Sequence, residues 1–255
     1  MDLKLNLRLP STYSNSSQVA RIITEDWLKS NSYCPNCGHR DFDKYVNNKP
    51  VADFLCSICM EDYELKSKNG KLGNIIVDGA YSTMLQRINS EKNPNFFFLT
   101  YSKMNWCVDN LIIIPKHCFS SEIIIKRNPL ALTARRSGWI GCNINLEKVP
   151  ALGRIFLIRN SLILEKQSVL ESWKKTLFLR KESLATRGWT LDILQCIDKI
   201  KKEQFSLAEI YNFENELKLK HPKNNFIKDK TRQQLQVLRD KGIIEFTGKG
   251  NYKKL

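Results

Sequence analysis

Two C-x-x-C pairs with eighteen residues between them constrain the fold of this chain more than any other feature. The pairs are Cys34/Cys37 and Cys56/Cys59, and Gly38 permits the turn that follows the first pair. Doubled pairs at this spacing are typical of zinc sites in which four thiolates complete a tetrahedral shell. Such a closed shell leaves no position for a substrate, so the spacing predicts a structural zinc site. Four free thiols or a redox pair are the alternatives.

The remaining cysteines do not suggest a disulfide framework. Cys107, Cys118, Cys142 and Cys196 are isolated and fit reduced thiols in a core. The N-terminal stretch MDLKLNLRLP alternates in polarity and lacks the apolar core of a signal peptide. These features together predict a cytoplasmic protein.

The charge balance suggests the kind of partner. The 255 residues include 41 Lys and Arg against 26 Asp and Glu, which gives a formal net charge of +15. An excess of this size favours binding to nucleic acid or another anionic surface, although it also serves solubility. The longest apolar runs, such as NFFFLTY, are too short to span a bilayer, so we expect no membrane association.

The hydrophobic pattern divides the chain into two predicted domains. Residues 1–182 read as an α/β domain with a mixed sheet, with helices over 17–30 and 78–90 and buried strands over 95–101, 110–116 and 153–159. The periodicity is lost around residues 179–189, where we place the domain boundary.

Residues 183–255 are predicted to form a winged helix-turn-helix. Ser206 and Glu209 have the spacing of a capping box, Asn225 is a candidate N-cap, and Gly242 is a helix stop signal before a terminal hairpin. Residues 217–255 contain eleven Lys and Arg against three Asp and Glu. The basic charge is therefore concentrated on the predicted recognition helix and wing.

Acidic residues flank the second cysteine pair. If Cys56 and Cys59 form the turn of a hairpin, Asp53 pairs with Glu64, and Lys66 projects from the same face. Opposed residues on one face have Cβ atoms about 4.5–5.5 Å apart, a separation at which two carboxylates can share a divalent cation. A knuckle can shift this register by one residue, and each of the three side chains alone is compatible with a solvated surface.

The combination suggests phosphodiester hydrolysis. Mg²⁺ held by Asp53 and Glu64 neutralises charge on the phosphate and activates water, while Lys66 stabilises the charge that develops in the transition state. Glu25 on the first predicted helix is a weaker candidate for a further carboxylate.

Asp53 and Glu64-x-Lys66 resemble the PD-(D/E)xK nuclease motif. With the cysteine pairs around it and the helical region behind it, the whole chain resembles the DpnI-like methyl-directed type II restriction endonucleases. The resemblance is carried in chain order by TEDW (24–27), YCPNCG (33–38), PVADF (50–54), ELKSK (64–68), NPNFFFLTY (93–101), TARRSGWIGCNI (133–144), LFLRK (177–181) and RQQLQVLRDKGIIEF (232–246).

This resemblance implies a PD-(D/E)xK core with an embedded zinc site, followed by the winged helix. It implies a Mg²⁺-dependent enzyme that cuts double-stranded DNA at GATC sites carrying N6-methylated adenine, and two domains that each bind the methylated site. Asp53, Glu64 and Lys66 would take the catalytic roles, with the Leu65 carbonyl as a further Mg²⁺ ligand. We expect a monomer in solution.

Two regions are candidates for DNA contact. Trp139 lies between two glycines and follows Arg135 and Arg136, so its indole is expected either to contact DNA or to pack as a core anchor. Polar side chains of the predicted recognition helix and wing can bond to bases and phosphates. The candidates there are Lys228, Lys230, Arg232, Gln233, Gln234, Gln236 and, on the wing, Lys249.

Two other functions remain compatible with the residues. A zinc-containing DNA-binding regulator without enzymatic activity would carry the hairpin carboxylates only as surface charge. A nuclease of the same fold without methyl dependence would retain the catalytic residues.

Overall fold

The computed structural model describes residues 1–8, 15–45, 52–90 and 93–255. Of the helices in these ranges, none is long and apolar enough to cross a membrane. The elements in chain order are α1 (Ser16–Asn31), β1 (Asp43–Lys44), β2 (Phe54–Leu55), β3 (Asp62–Asn69), β4 (Ile75–Ala80), α2 (Tyr81–Ile88), β5 (Asn95–Ser102), β6 (Cys107–Ile114), β7 (Ile124–Lys126), β8 (Gly141–Asn145), β9 (Ile155–Arg159), β10 (Leu162–Ile163), α3 (Lys166–Thr176), α4 (Leu184–Lys199), β11 (Gln204–Ser206), α5 (Leu207–Tyr211), α6 (Glu214–Lys220), α7 (Ile227–Asp240), β12 (Ile244–Gly248) and β13 (Asn251–Lys254).

A seven-stranded mixed sheet organises the N-terminal domain. Its strand order is β1-β2-β3-β5-β6-β9-β10, with β3 and β5 parallel and the other pairs antiparallel. The central strand β5 is covered on both faces because successive strand residues point to opposite sides. Phe97 and Leu99 pack in the core cluster that includes residues of α1 and α3, whereas Phe96 and Phe98 pack in a second cluster. The predicted mixed α/β fold and the three predicted buried strands are confirmed.

A smaller antiparallel sheet, in the order β4-β8-β7, contributes to the second cluster together with α2. The predicted helix over residues 78–90 is wrong at its start. Asp78, Gly79 and Ala80 belong to β4, and α2 begins only at Tyr81. The β-branched run Ile75–Val77 extends the strand up to this point.

The C-terminal region contains the helices α4, α5, α6 and α7 and a hairpin that pairs with β11 in the order β11-β13-β12, an arrangement consistent with the predicted helix-turn-helix. The capping box of Ser206 and Glu209 is confirmed, and Gly242 adopts a positive φ of 65° just beyond α7. The predicted N-cap role of Asn225 is wrong. Helix α7 begins at Ile227 after Phe226, whose N–H donates to the Asn224 side chain at 2.7 Å.

Lys220 connects the C-terminal region to the N-terminal region through ion pairs. Its ammonium lies 2.6 Å from Asp192 Oδ1 and 2.7 Å from Glu122 Oε2. The Ala151 N–H also donates to Asp198 Oδ2 at 2.6 Å. Through Asp192 and Asp198, helix α4 of the C-terminal region is therefore connected to Glu122 and Ala151 of the N-terminal region.

Candidate functional site

The four paired cysteines form one cluster with the dimensions of a tetrahedral metal site. Their ligand atoms all lie within 4.8 Å of one another. The Sγ atoms of Cys34 and Cys59 are 3.4 Å apart, and those of Cys37 and Cys56 are 3.5 Å apart. Tetrahedral zinc with four thiolates at about 2.3 Å requires sulfur separations of about 3.8 Å. The cluster can therefore hold zinc with a small adjustment.

The turn geometry and the pKa values of the thiols are compatible with metal binding. Gly38 adopts a φ of 78°, which favours glycine in the turn after the first pair. Burial opposes ionisation of Cys56, but the backbone N–H groups of Cys59 and Ile58 bond to its sulfur and lower its pKa overall. Burial raises the pKa of the Cys34 thiol, so a bound cation is the way for this thiol to ionise at neutral pH.

The hairpin that carries the second cysteine pair has the predicted register. Phe54 pairs with Tyr63 and Leu55 with Asp62, so the next step of the register places Asp53 opposite Glu64. Asp53 lies just outside the paired strand, where its N–H donates to the Tyr63 carbonyl at 2.9 Å. Pro50 and Val51, the start of the predicted hairpin, lie outside the described residues.

The carboxylate of Asp53 lies at the backbone that follows Glu64. Its Oδ2 accepts a 2.8 Å hydrogen bond from the Leu65 N–H. The Arg21 guanidinium of α1 lies 3.7 Å from Asp53 Oδ1 and 2.5 Å from Glu25 Oε1, so it bridges two acids. Glu25 also pairs with Lys44 at 2.7 Å. The buried carboxylate of Glu25 is therefore paired with two cationic side chains, those of Arg21 and Lys44.

Glu64 and Lys66 meet on one face of β3. Lys66 Nζ lies 2.5 Å from Glu64 Oε1 and 2.6 Å from Asp78 Oδ1, and Arg87 Nη1 of α2 lies 3.2 Å from Glu64 Oε2. The structure thus brings Asp53, Glu64 and Lys66 to one end of the hairpin and adds Asp78 and Arg87.

Sequence reasoning did not identify Asp78 and Arg87. Asp78 lies twelve residues beyond Lys66, on a strand of the other sheet, and was predicted to belong to a helix. The β-branched run Ile75–Val77 before Asp78 favours a strand and could have indicated that Asp78 lies near the end of one. Nothing in a single sequence indicated that this strand end lies beside Lys66.

Burial and charge set the ionisation of these groups. Burial raises the pKa of Asp53 and of Glu64 above their usual values. Burial alone would lower the pKa of Lys66, but the carboxylates of Glu64 and Asp78 outweigh it and raise that pKa. Carboxyl groups that are costly to ionise in isolation gain from a nearby cation, so Asp53 and Glu64 are suited to a divalent metal.

The Trp139 loop lies between β7 and β8. Trp139 is half-buried, and the Arg136 guanidinium lies 4.6 Å above its ring. The ring packs on Gly141, where an added Cβ would come within 2.8 Å of the indole. Arg135 and Arg136 are exposed. The loop therefore presents cationic groups together with one partly accessible aromatic surface.

Helix α7 presents most of the predicted DNA-contacting residues to solvent. Among them, Lys228, Arg232, Gln233 and Gln236 are exposed, Lys230 is half-buried, and Lys249 is exposed on the hairpin turn. Gln234 is the exception. Its side chain is 1% exposed and accepts a 2.6 Å hydrogen bond from Thr190, so the prediction of a DNA contact is wrong for Gln234.

Two family models match the chain. The family model described as DpnI, the Dam-replacing family, matches residues 1–182. The chain belongs to the DpnI (Dam-replacing) family. The model described as the Dam-replacing HTH domain matches residues 185–254. Membership of the DpnI family indicates a restriction endonuclease, and the second match indicates a DNA-binding helix-turn-helix domain.

Proposed function

We propose that the protein is a Mg²⁺-dependent type II restriction endonuclease that cleaves double-stranded DNA at GATC sites carrying N6-methylated adenine. The observation that carries the proposal is the convergence of Asp53, Glu64 and Lys66 on a hairpin inside a DpnI-family domain. The site sequence and its methylation are those implied by the family resemblance.

Asp53 and Glu64 would hold the catalytic Mg²⁺, with the Leu65 carbonyl as a third ligand. The metal supplies neutralisation of the phosphate charge and activation of water when it is bound. Asp53 is held against the Leu65 N–H at 2.8 Å, which fixes the orientation of its carboxylate. The ammonium of Lys66 lies 2.5 Å from Glu64 Oε1 and would stabilise negative charge that develops on the scissile phosphate.

Zinc would have a structural role. Cys34, Cys37, Cys56 and Cys59 would fill the tetrahedral shell of the zinc ion, so no ligand position would remain for a substrate. Because Cys56 and Cys59 form the turn of the catalytic hairpin, a bound zinc ion would hold the register that positions Asp53.

Both domains would contact DNA. In the N-terminal domain, the exposed guanidinium groups of Arg135 and Arg136 suit phosphate contacts, and the indole of Trp139 suits contact with an adenine methyl group. In the C-terminal domain, Gln233 and Gln236 can bond to bases. The cationic set of α7 and the hairpin turn, Lys228, Lys230, Arg232 and Lys249, would bind phosphates and bases.

Digestion of one plasmid in two methylation states tests the proposal. With Mg²⁺ we expect cleavage of the plasmid methylated at adenine in GATC and no cleavage of the unmethylated plasmid. Cleavage of both plasmids would indicate a nuclease without methyl dependence. Failure to cleave either one, with DNA binding intact, would indicate a DNA-binding regulator instead.

Replacement of single lysines on β3 provides the matched control. Lys66→Ala should abolish cleavage at saturating DNA and leave binding intact. Lys68→Ala, at an exposed position two residues farther along the same strand, should retain the cleavage step. Equal rates for the wild-type enzyme and Lys66→Ala would remove Lys66 from the mechanism.

A further inference from the structure

The ammonium of Lys66 has a second carboxylate partner that lies outside the hairpin motif. Asp78 Oδ1 lies 2.6 Å from Lys66 Nζ, and the Asp78 side chain is 4% exposed. Asp78 is carried by β4, which belongs to the small sheet, whereas Lys66 is on β3 of the large sheet. This ion pair therefore joins the two sheets at the candidate active site.

A local irregularity in β4 accompanies this placement of Asp78. Asp78 pairs with Cys142 and Ala80 with Gly141, so the register shifts between Asp78 and Ala80 and leaves Gly79 as an extra residue. Such bulges redirect side chains and are frequent next to active sites. Desolvation of a buried ion pair often cancels the attraction between its charges, so a gain in stability is a weak explanation for the Asp78–Lys66 pair.

The β4–β8 pair also carries the Trp139 loop. Strand β8 begins at Gly141, on which the Trp139 ring packs, and the Tyr81 N–H donates to the Ile140 carbonyl at 3.1 Å. The backbone that holds Asp78 is therefore tied directly to the end of this loop. A change at Asp78 must accordingly be tested for DNA binding as well as for catalysis.

We propose that Asp78 is a positioning residue that fixes the ammonium of Lys66 at the scissile phosphate. Lysine has a flexible four-carbon chain, and its charge lacks the rigid geometry of a guanidinium. Glu64, the other partner of Lys66, is the residue to which the proposed function assigns a metal-binding role. The proposed function assigns no metal-binding role to Asp78, and the carboxylate of Asp78 reaches the lysine from the small sheet.

This inference rests on the proposed function, and single-turnover cleavage of methylated DNA by Asp78→Asn and Asp78→Glu tests it. Asp78→Asn should lower the cleavage rate at saturating DNA by about 10- to 100-fold, since small misplacements of a reacting group cost about this much. Its affinity for methylated DNA should stay within about threefold of the wild-type value, well below the tenfold that corresponds to about 1.4 kcal/mol. Asp78→Glu keeps the carboxylate and should recover part of the rate.

Asp192→Asn is the matched control. Asp192 is also buried and also lies 2.6 Å from a lysine ammonium, that of Lys220, but it is located in α4. This variant should lose stability while its cleavage rate per folded molecule stays at the wild-type value. A rate for Asp78→Asn equal to that of the wild-type enzyme would overturn the inference, as would a loss no larger than that of Asp192→Asn.

A second readout does not require cleavage. Acylation of Lys66 by a small acid anhydride in the absence of Mg²⁺, with a carboxylate as the leaving group and peptide mass spectrometry as the readout, should be several-fold faster in Asp78→Asn than in the wild-type protein. An unchanged acylation rate would show that Asp78 does not hold the ammonium. If the wild-type protein cleaves no DNA, the proposed function fails, while the acylation result still reports on the contact.

Discussion

Gln234 Oε1 accepts a 2.6 Å hydrogen bond from Thr190 Oγ1 inside the C-terminal domain. The two residues are on α7 and α4, and their side chains are buried together. The glutamines before and after it in the helix, Gln233 and Gln236, are exposed. One face of the helix therefore holds the domain together, and the other is free to contact DNA.

This division predicts opposite effects for two glutamine variants. Gln234→Ala removes a buried acceptor and leaves a cavity, so the free energy of unfolding should fall by about 1–3 kcal/mol. Gln236→Ala should change that free energy by less than about 0.5 kcal/mol and weaken DNA binding. Urea denaturation and DNA titration measure the two quantities. A stable Gln234→Ala variant with weakened DNA binding would reverse the assignment of the two faces.

Trp139 gives a prediction about methyl recognition. The Trp139→Ala variant should bind DNA methylated at GATC at least about tenfold more weakly, a loss of about 1.4 kcal/mol or more. Its melting temperature should change little, because the indole is only half-buried at the end of a loop. Trp139→Phe keeps an aromatic surface and should retain more of the affinity. Unchanged affinity of a folded Trp139→Ala variant for the methylated duplex would contradict the assigned contact.

His117 predicts loss of stability in acid. The His117 Nε2 atom lies 2.7 Å from Thr176 Oγ1, which itself donates to the Trp173 carbonyl, so Nε2 carries the proton. The other ring nitrogen, Nδ1, accepts from Arg180 Nε at 3.3 Å. Burial, followed by the charge of Arg180, lowers the pKa of His117 to about 3.

The pKa of His117 is therefore 6.5 in the unfolded chain and about 3 in the folded chain. Between these two pH values only the unfolded chain binds a proton at His117. Above pH 6.5 neither state binds this proton, and the free energy of unfolding is unaffected by it. As the pH falls below 6.5, the free energy of unfolding falls with a slope of up to about 1.4 kcal/mol per pH unit. Thermal or urea unfolding between pH 7 and 4 should show a smaller slope for His117→Gln than for wild type. An equal slope for His117→Gln and the wild-type protein would contradict this prediction.

The sequence was sufficient where one local signal determined the structure. The apolar runs over 95–101 and 110–116 predicted buried strands because they are short and bounded by Asn or Pro, which is typical of strands covered on both faces. The second cysteine pair set the turn, and the turn set the register of Phe54 and Tyr63. These features depend on neighbours in the chain, so a single sequence contains them.

The features that were missed depend on packing between distant segments. Asp78 reaches Lys66 across two sheets, and no local pattern specifies how those sheets meet. Gln234 was misassigned because a glutamine can occupy a buried helical position when Thr190, 44 residues earlier, supplies a hydrogen bond. In both cases a polar partner on another element decided the position of a polar side chain.

The cysteine cluster predicts that metal removal has two separable effects. Each chain should contain about one zinc ion, because four thiolates complete one tetrahedral shell. Prolonged treatment with a strong chelator should remove it, destabilise the N-terminal domain and abolish cleavage. Added Mg²⁺ alone should not restore activity, since Mg²⁺ binds oxygen ligands and cannot replace zinc among thiolates. Brief chelation that removes only Mg²⁺ should be fully reversed by Mg²⁺.

Cysteine variants separate the cluster from the isolated thiols. Cys59→Ser should lose most of the bound zinc and melt at a lower temperature, as measured by elemental analysis and thermal unfolding. Cys107→Ser alters a half-buried cysteine whose sulfur bonds only weakly, at 3.5 Å, to the Asn105 carbonyl, and it should retain the metal. Zinc content of the wild-type level in Cys59→Ser, or none in the wild-type protein, would contradict the assignment of the four-cysteine cluster. Because Cys59 ends the turn between Asp53 and Glu64, loss of zinc should also lower the cleavage rate more than the affinity for DNA.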